Sequence, residues 1–331
     1  MAGCELKQGK YKDIKLSDDE MWSAFAYLFS SKSVNDTSYK FGFLKSILDN
    51  LYNVDENLVL NFDQLFSTFA EIYWNLVLKY HIRQKKPDKT GRRSSLENIL
   101  YDAEQRFHIE LGIPFESITD EMKIYVCHNV KVKCKQNVVG ALYEDLGELF
   151  YSFSKAGEWI QFNPQMYTFV CKNKTAIEKI NYYEWATFLE KVNNDDAMDH
   201  LLTKIDDSTH HSRNSLAYFR DILFQEFERK CFYCGKPVEI GKVEVDHFIP
   251  WSFIKDDKLW NFVLACPDCN GKKSNKLADG AFLDKIESRN NILIQTHGDI
   301  GMTEYNRIRL IYNWAQKNGY SDIWKPKREI G

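Results

Sequence analysis

Cys231-Phe-Tyr-Cys234, Val245-Asp-His-Phe-Ile-Pro250, Asn261-Phe-Val-Leu-Ala-Cys266-Pro-Asp-Cys269 and Asn270-Gly-Lys-Lys-Ser-Asn-Lys276 succeed one another near the end of a 331-residue chain. Two Cys-x-x-Cys pairs, Cys231/Cys234 and Cys266/Cys269, suit one tetrahedral Zn²⁺ that uses all four thiolates and leaves no position open for water. Thirty-one residues separate the pairs, more than the roughly 15–20 of a simple zinc ribbon, so a folded element is expected between them. Residues 242–248 read as a strand, 250–259 as a loop and 261–265 as a second strand. A helix is predicted over 270–278. This strand, strand, helix order would bring Asp246 and Asn270 to one cation, with His247 beside it. A carboxylate, an imidazole and an amide in that arrangement offer a metal ligand, a base and a second ligand for cutting a phosphodiester.

Outward from that stretch the chain reads as helical. Gly (16) and Pro (7) are scarce, and the length allows two or three domains. Ser17-Asp-Asp-Glu20 has the form of a capping box, followed by Met21, Trp22, Phe25, Leu28 and Phe29 at helical spacing. Residues 41–51 and 62–80 repeat the pattern, and Ser94-Ser-Leu-Glu97 opens another helix. Met122, Val126, Val130, Cys134 and Val138 form a further stripe, with Lys131, Lys133 and Lys135 mostly off it as a solvated face. Residues 158–164 look extended, a small β wing, and 181–192 helical. The polar stretch 206–214 marks the best boundary. The expected division is a helical subdomain 1–86, a second helical subdomain with a β wing 95–205, and a C-terminal domain 214–331.

The net charge of −3 and pI near 6.3 provide no global basic field, so nucleic-acid contacts must be local. The basic segment 81–95, with Arg83, Lys85, Lys86, Lys89, Arg92 and Arg93, is an exposed loop suited to phosphate. His210 and His211 lack neighbouring ligands and are read as loop residues. Cys4, Cys127, Cys134 and Cys171 sit at no useful spacing and are expected to be reduced thiols. Without an apolar leader or a run of about 18 apolar residues, a cytoplasmic protein with no membrane insertion is expected.

The strings around Asp246-His247, Asn261 and Cys269-Asn270 resemble the HNH endonuclease family, of the ββα-metal fold, in its four-cysteine zinc subclass; the segment 245–257 also looks like the HNH module of RNA-guided nucleases. The resemblance covers about residues 216–290. It implies a mainly α protein with a helical N-terminal region and a C-terminal HNH domain. His247 would be the general base, Asp246 and Asn270 the ligands of Mg²⁺ or Mn²⁺, and Asn261 the residue that orients the loop and the His247 ring. Lys273, placed near a helix N-terminus, with Lys272, Lys276, Arg92 and Arg93, would contact DNA, double-stranded for preference. The third signature position is Asn270 rather than His, which favours a hard cation over a catalytic Zn²⁺. A monomer would nick. Standalone members point to restriction or phage defence, with the N-terminal region as target reader, regulator or docking site for a protein partner. A mobile-element or homing nuclease and an inactive nucleic-acid-binding zinc module are the alternatives. A zinc deaminase would need a His-x-Glu or Cys-x-Glu step, absent near the knuckles.

Overall fold

The structure, a computed structural model, describes residues 5–86, 91–193, 199–209, 216–239, 241–298 and 307–326. Cys4, Lys89, His210 and His211 lie outside these. The chain divides into two compact units, Met1–His211 and Ser212–Gly331.

The first unit contains helices α1 (Asp18–Leu28), α2 (Tyr39–Asp49), α3 (Phe62–Trp74), α4 (Ser95–Phe107), α5 (Asp120–Asp145), α6 (Pro164–Val192) and α7 (Leu201–Ser208), with strands β1 (Gln8–Gly9), β2 (Val59–Asn61), β3 (Tyr151–Ser154) and β4 (Trp159–Phe162). Local chemistry sets the helix starts. Ser17 and Glu20 cap α1 reciprocally, and Ser94 and Glu97 do the same for α4, so four otherwise orphaned amides find partners. The stripe on α3 is fully buried, with Phe62, Phe66 and Phe69 in edge-on contact.

Two expectations are corrected in this unit. The β wing is part of a four-stranded antiparallel sheet ordered β1-β3-β4-β2. Strands from 8–9 and 59–61 close it, so stretches 1–86 and 95–205 share one sheet and one core rather than forming separate subdomains. Lys131 and Lys135 are not a solvated face: Lys131 bridges Asp63 at 2.6 Å and Glu158 at 2.7 Å, and Lys135 reaches Glu158 at 2.6 Å. The pairing ties α5 to the α3 N-terminus and to the β3–β4 turn. Cys134 is buried on α5, which pushes its thiol up to about 12, and no disulfide occurs among the described residues.

The second unit holds α8 (Ala217–Glu226), β5 (Glu244–His247), α9 (Trp251–Ile254), β6 (Phe262–Ala265), α10 (Pro267–Lys273), β7 (Leu277–Ala278), α11 (Leu283–His297), α12 (Arg307–Lys317) and β8 (Ile323–Trp324). β5 and β6 pair antiparallel, with Asp246 opposite Val263 and His247 opposite Phe262. The helix after the second knuckle starts at Pro267 and ends at Lys273, earlier than predicted. Pro267 fits the first helical turn because its missing N–H would be unpartnered there anyway. β7 and β8 pair in parallel, joining Ile323 and Trp324 to the segment that follows α10. No helix among the described residues is long and apolar enough to cross a membrane.

Candidate metal centre and active site

The two knuckles converge. The sulfurs of Cys231, Cys234, Cys266 and Cys269 all lie within 4.8 Å of one another, and Cys234 Sγ is 3.9 Å from Cys266 Sγ. Zn–S bonds of about 2.3 Å at tetrahedral angles place sulfurs roughly 3.8 Å apart, so the donor set fits zinc with little adjustment. Each knuckle is held by its neighbours in sequence and by the hairpin. Gly235, at φ 74°, turns the first one, and the Phe232 amide donates to the Leu264 carbonyl at 2.7 Å. Burial pushes the Cys231 thiol up, but N–H groups of Cys234, Cys266 and Tyr233 turned toward its sulfur more than offset this and leave it below the ordinary value. The Lys285 ammonium, over the Phe232 ring at 4.5 Å, faces the first pair and balances thiolate charge.

Asp246 and His247 are the last two residues of β5 and meet different partners. Asp246 is buried; it accepts hydrogen bonds from the Tyr233 hydroxyl and from Lys273 Nζ, the latter 3.0 Å from Oδ2 and 3.2 Å from Oδ1. Burial pushes the Asp246 carboxyl up, and the Lys273 charge only partly reverses this. Burial likewise pushes Lys273 down, and Asp246 only partly restores it. Each charge has lost more to desolvation than its partner returns. Tyr233 is clamped edge-on between Phe282 and Trp324, at 5.4 and 5.1 Å. Burial and the adjacent carboxylate hold its phenol well above the ordinary value, so it remains a donor.

His247 packs edge-on against Phe262 at 4.7 Å, and its Nε2 lies 2.8 Å from Asp257 Oδ1. Asn261 is fully buried. Its amide forms a two-way clip with one residue, accepting from the Ile249 N–H and donating to the Ile249 carbonyl, both at 2.8 Å. The Phe248 amide adds a bond to the Asn261 carbonyl at 2.7 Å. The chain immediately after His247 is thereby locked to the turn before β6. That turn is held from below by Arg289 and Asn290, which donate to the Trp260 carbonyl at 2.7 and 3.1 Å.

Asn270 is in α10 and donates to Glu244 Oε2 at 2.7 Å. Glu244 and Asp246 are two apart on β5 and share a face, so Asn270 sits over the same side of the strand as Asp246, though no hydrogen bond joins those two among the described residues. Lys273 is not at a helix N-terminus and not at the surface: it occupies the last turn of α10, fully buried, also donating to the His247 carbonyl at 2.7 Å. A phosphate cannot reach it there. Lys272 is exposed and pairs with Asp268 at 2.6 Å, and Lys276 is exposed. In the first unit Arg93 stacks 3.6 Å over the Tyr101 ring and, with Arg83, Lys85 and Arg92, lines a small cavity of about 90 Å³. Sequence reading passed over Tyr233, Glu244 and Asp257, the partners that fix Asp246, Asn270 and His247. Asp257 stood within the quoted 245–257 string, but nothing in its spacing separates it from Asp256.

A four-cysteine cluster compatible with zinc, beside a hairpin and a short helix with Asp-His on the first strand, defines a cysteine-knuckle strand–strand–helix module. Residues 231–278 match the HNH endonuclease family. The C-terminal unit of this mainly helical chain therefore carries an HNH endonuclease domain, a nuclease type that acts on nucleic acid. No curated protein and no solved structure matches the chain.

Proposed function

We propose that the second unit hydrolyses phosphodiester bonds of double-stranded DNA, one strand at a time, with His247 as general base. The observation that carries this reading is that the family match coincides with the segment in which the hairpin, the Asn261 clip and the thiolate cluster hold His247 in one place. His247 takes a proton from water, the water oxygen bonds to phosphorus, and the bond from phosphorus to the 3′ oxygen breaks, with solvent protonating the leaving oxygen. Asp246 and the Asn270 amide oxygen, on one side of β5, would hold Mg²⁺ or Mn²⁺. Their hard oxygens suit such an ion, and the Asp246 carboxylate has lone pairs beyond those used by Tyr233 and Lys273. When bound, the ion supplies Lewis-acid stabilisation of charge on the phosphate and leaving oxygen. Asn261 fixes the backbone on which His247 rides. Tyr233 and Lys273 set the orientation of Asp246. Lys272 and Lys276, exposed on and just after α10, are the proposed backbone contacts in this unit, and Arg92 and Arg93 those in the first.

The test is supercoiled plasmid incubated with zinc-loaded protein across a Mg²⁺ titration. Open circles are expected first, with linear DNA only after prolonged reaction. Intact plasmid at every Mg²⁺ and Mn²⁺ concentration would overturn the proposal.

A further inference from the structure

We infer that Asp257 is a positioning residue for His247: it holds the ring through Nε2–H and leaves Nδ1 as the nitrogen that accepts the water proton. This deepens the nuclease reading and rests on it. The two groups face each other at 2.8 Å, and both side chains are nearly buried, 11% exposed for His247 and 9% for Asp257. No other hydrogen bond engages His247 side-chain nitrogens among the described residues. A carboxylate can only accept from a neutral imidazole, so the nitrogen it faces must carry the proton. The remaining nitrogen then has its lone pair free. The opposite tautomer would set a lone pair against a carboxylate in a poorly solvated site.

Local structure delivers Asp257 to this position. Lys255, at φ 63°, ends α9 in the left-handed region and turns the chain back toward β5. Asp256 is occupied otherwise: its Oδ1 accepts from the Asp257 amide at 2.7 Å, and its Oδ2 pairs with Lys258 at 3.4 Å. Asp257 is thus the acid of this turn that is committed to the imidazole. Once His247 has taken up a proton, the same contact becomes an ion pair, which stabilises the charge formed as water is activated. The role also explains why the ring is fixed from two directions, by Phe262 on the neighbouring strand and by Asp257 from the loop.

The experiment uses the full-length, zinc-loaded chain with ¹⁵N-labelled histidine, His247 being identified by the signal lost in His247→Asn. At a pH where the ring is neutral, the wild-type ¹⁵N shifts are expected to show a protonated Nε2 and a bare Nδ1. Asp257→Asn, nearly isosteric, is expected to lose that signature and to lower kcat by about 10²-fold or more with KM within about twofold, because orientation is lost while DNA binding is not. Asp257→Glu is expected to recover part of both. A protonated Nδ1 in the wild type would overturn the inference even if the variants failed to fold, and so would an Asp257→Asn enzyme with wild-type kcat. The nuclease reading fails separately, through full activity of His247→Ala, an outcome that leaves the tautomer measurement intact.

Discussion

Protein stripped of zinc, or carrying Cys266→Ser, is expected to lose cooperative unfolding of the second unit while the first unit still melts as a folded body. The hairpin has only four residues in each strand, too little to stand on backbone pairing alone. Both knuckles pass through the thiolate cluster, and the first also donates from Phe232 to the hairpin edge. Structural zinc in small sites supplies on the order of 10 kcal/mol of folding free energy. Without it, keeping four clustered thiolates ionised would also be unfavourable, since burial first, and the neighbouring cysteines after it, push the Cys269 thiol far up. Calorimetry with zinc quantified per chain reads the effect directly. A second-unit transition of unchanged midpoint and enthalpy in zinc-free protein would show that the cysteines are not a staple.

Lys273→Met is the second large effect. The substitution keeps the aliphatic stem and removes the ammonium that lies 3.0 Å from Asp246. Asp246 would then be a buried carboxylate with Tyr233 as its one remaining donor among the described residues, and the His247 carbonyl would lose the Lys273 donor. Removing one member of a buried pair costs about 3–5 kcal/mol, far more than the net worth of the pair, because the survivor stays desolvated. The expected result is a second unit destabilised by that amount in urea titrations of zinc-loaded protein, with Asp246→Asn in the Lys273→Met background recovering part of it. A lysine that touched phosphate instead would leave stability alone and only weaken DNA binding in a salt-dependent way. Stability within about 1 kcal/mol of wild type would contradict the structural role of the buried Lys273–Asp246 pair.

The contrast at Lys273 shows how far the sequence was legible. Paired cysteines, the Asp-His step and the trailing asparagines have fixed spacings, and the hairpin and thiolate cluster follow from them. The direction of a side chain does not. Lys272 and Lys273 are adjacent in sequence, yet one is exposed and the other buried, because a helix turns about 100° per residue and α10 presses one side on β5. Tyr233 and Asp257 act through contacts 13 and 10 residues away in the chain, which no periodicity encodes. In the first unit, β1 and β2 are two and three residues long, too short for alternation to register. Only pairing with β3 and β4 makes them strands. The sequence predicts α6 only over its last 12 residues, 181–192. Asn163 and Pro164 form a good N-terminal signal, Asn163 accepting from the Gln165 amide at 2.9 Å. The helix buries Lys174 and Asn181 among apolar residues, and that blurs the stripe by which a helix is read.

The central claim is that His247 activates water at a phosphodiester. It is tested most directly by comparing single-turnover plasmid cleavage by wild type and His247→Ala, both zinc-loaded, at saturating Mg²⁺ and equal DNA occupancy. Removal of a general base is expected to slow cleavage by about 10²–10⁴-fold while DNA affinity stays within error of wild type and the second unit remains folded at the assay temperature. Equal cleavage rates for the two proteins would contradict the claim.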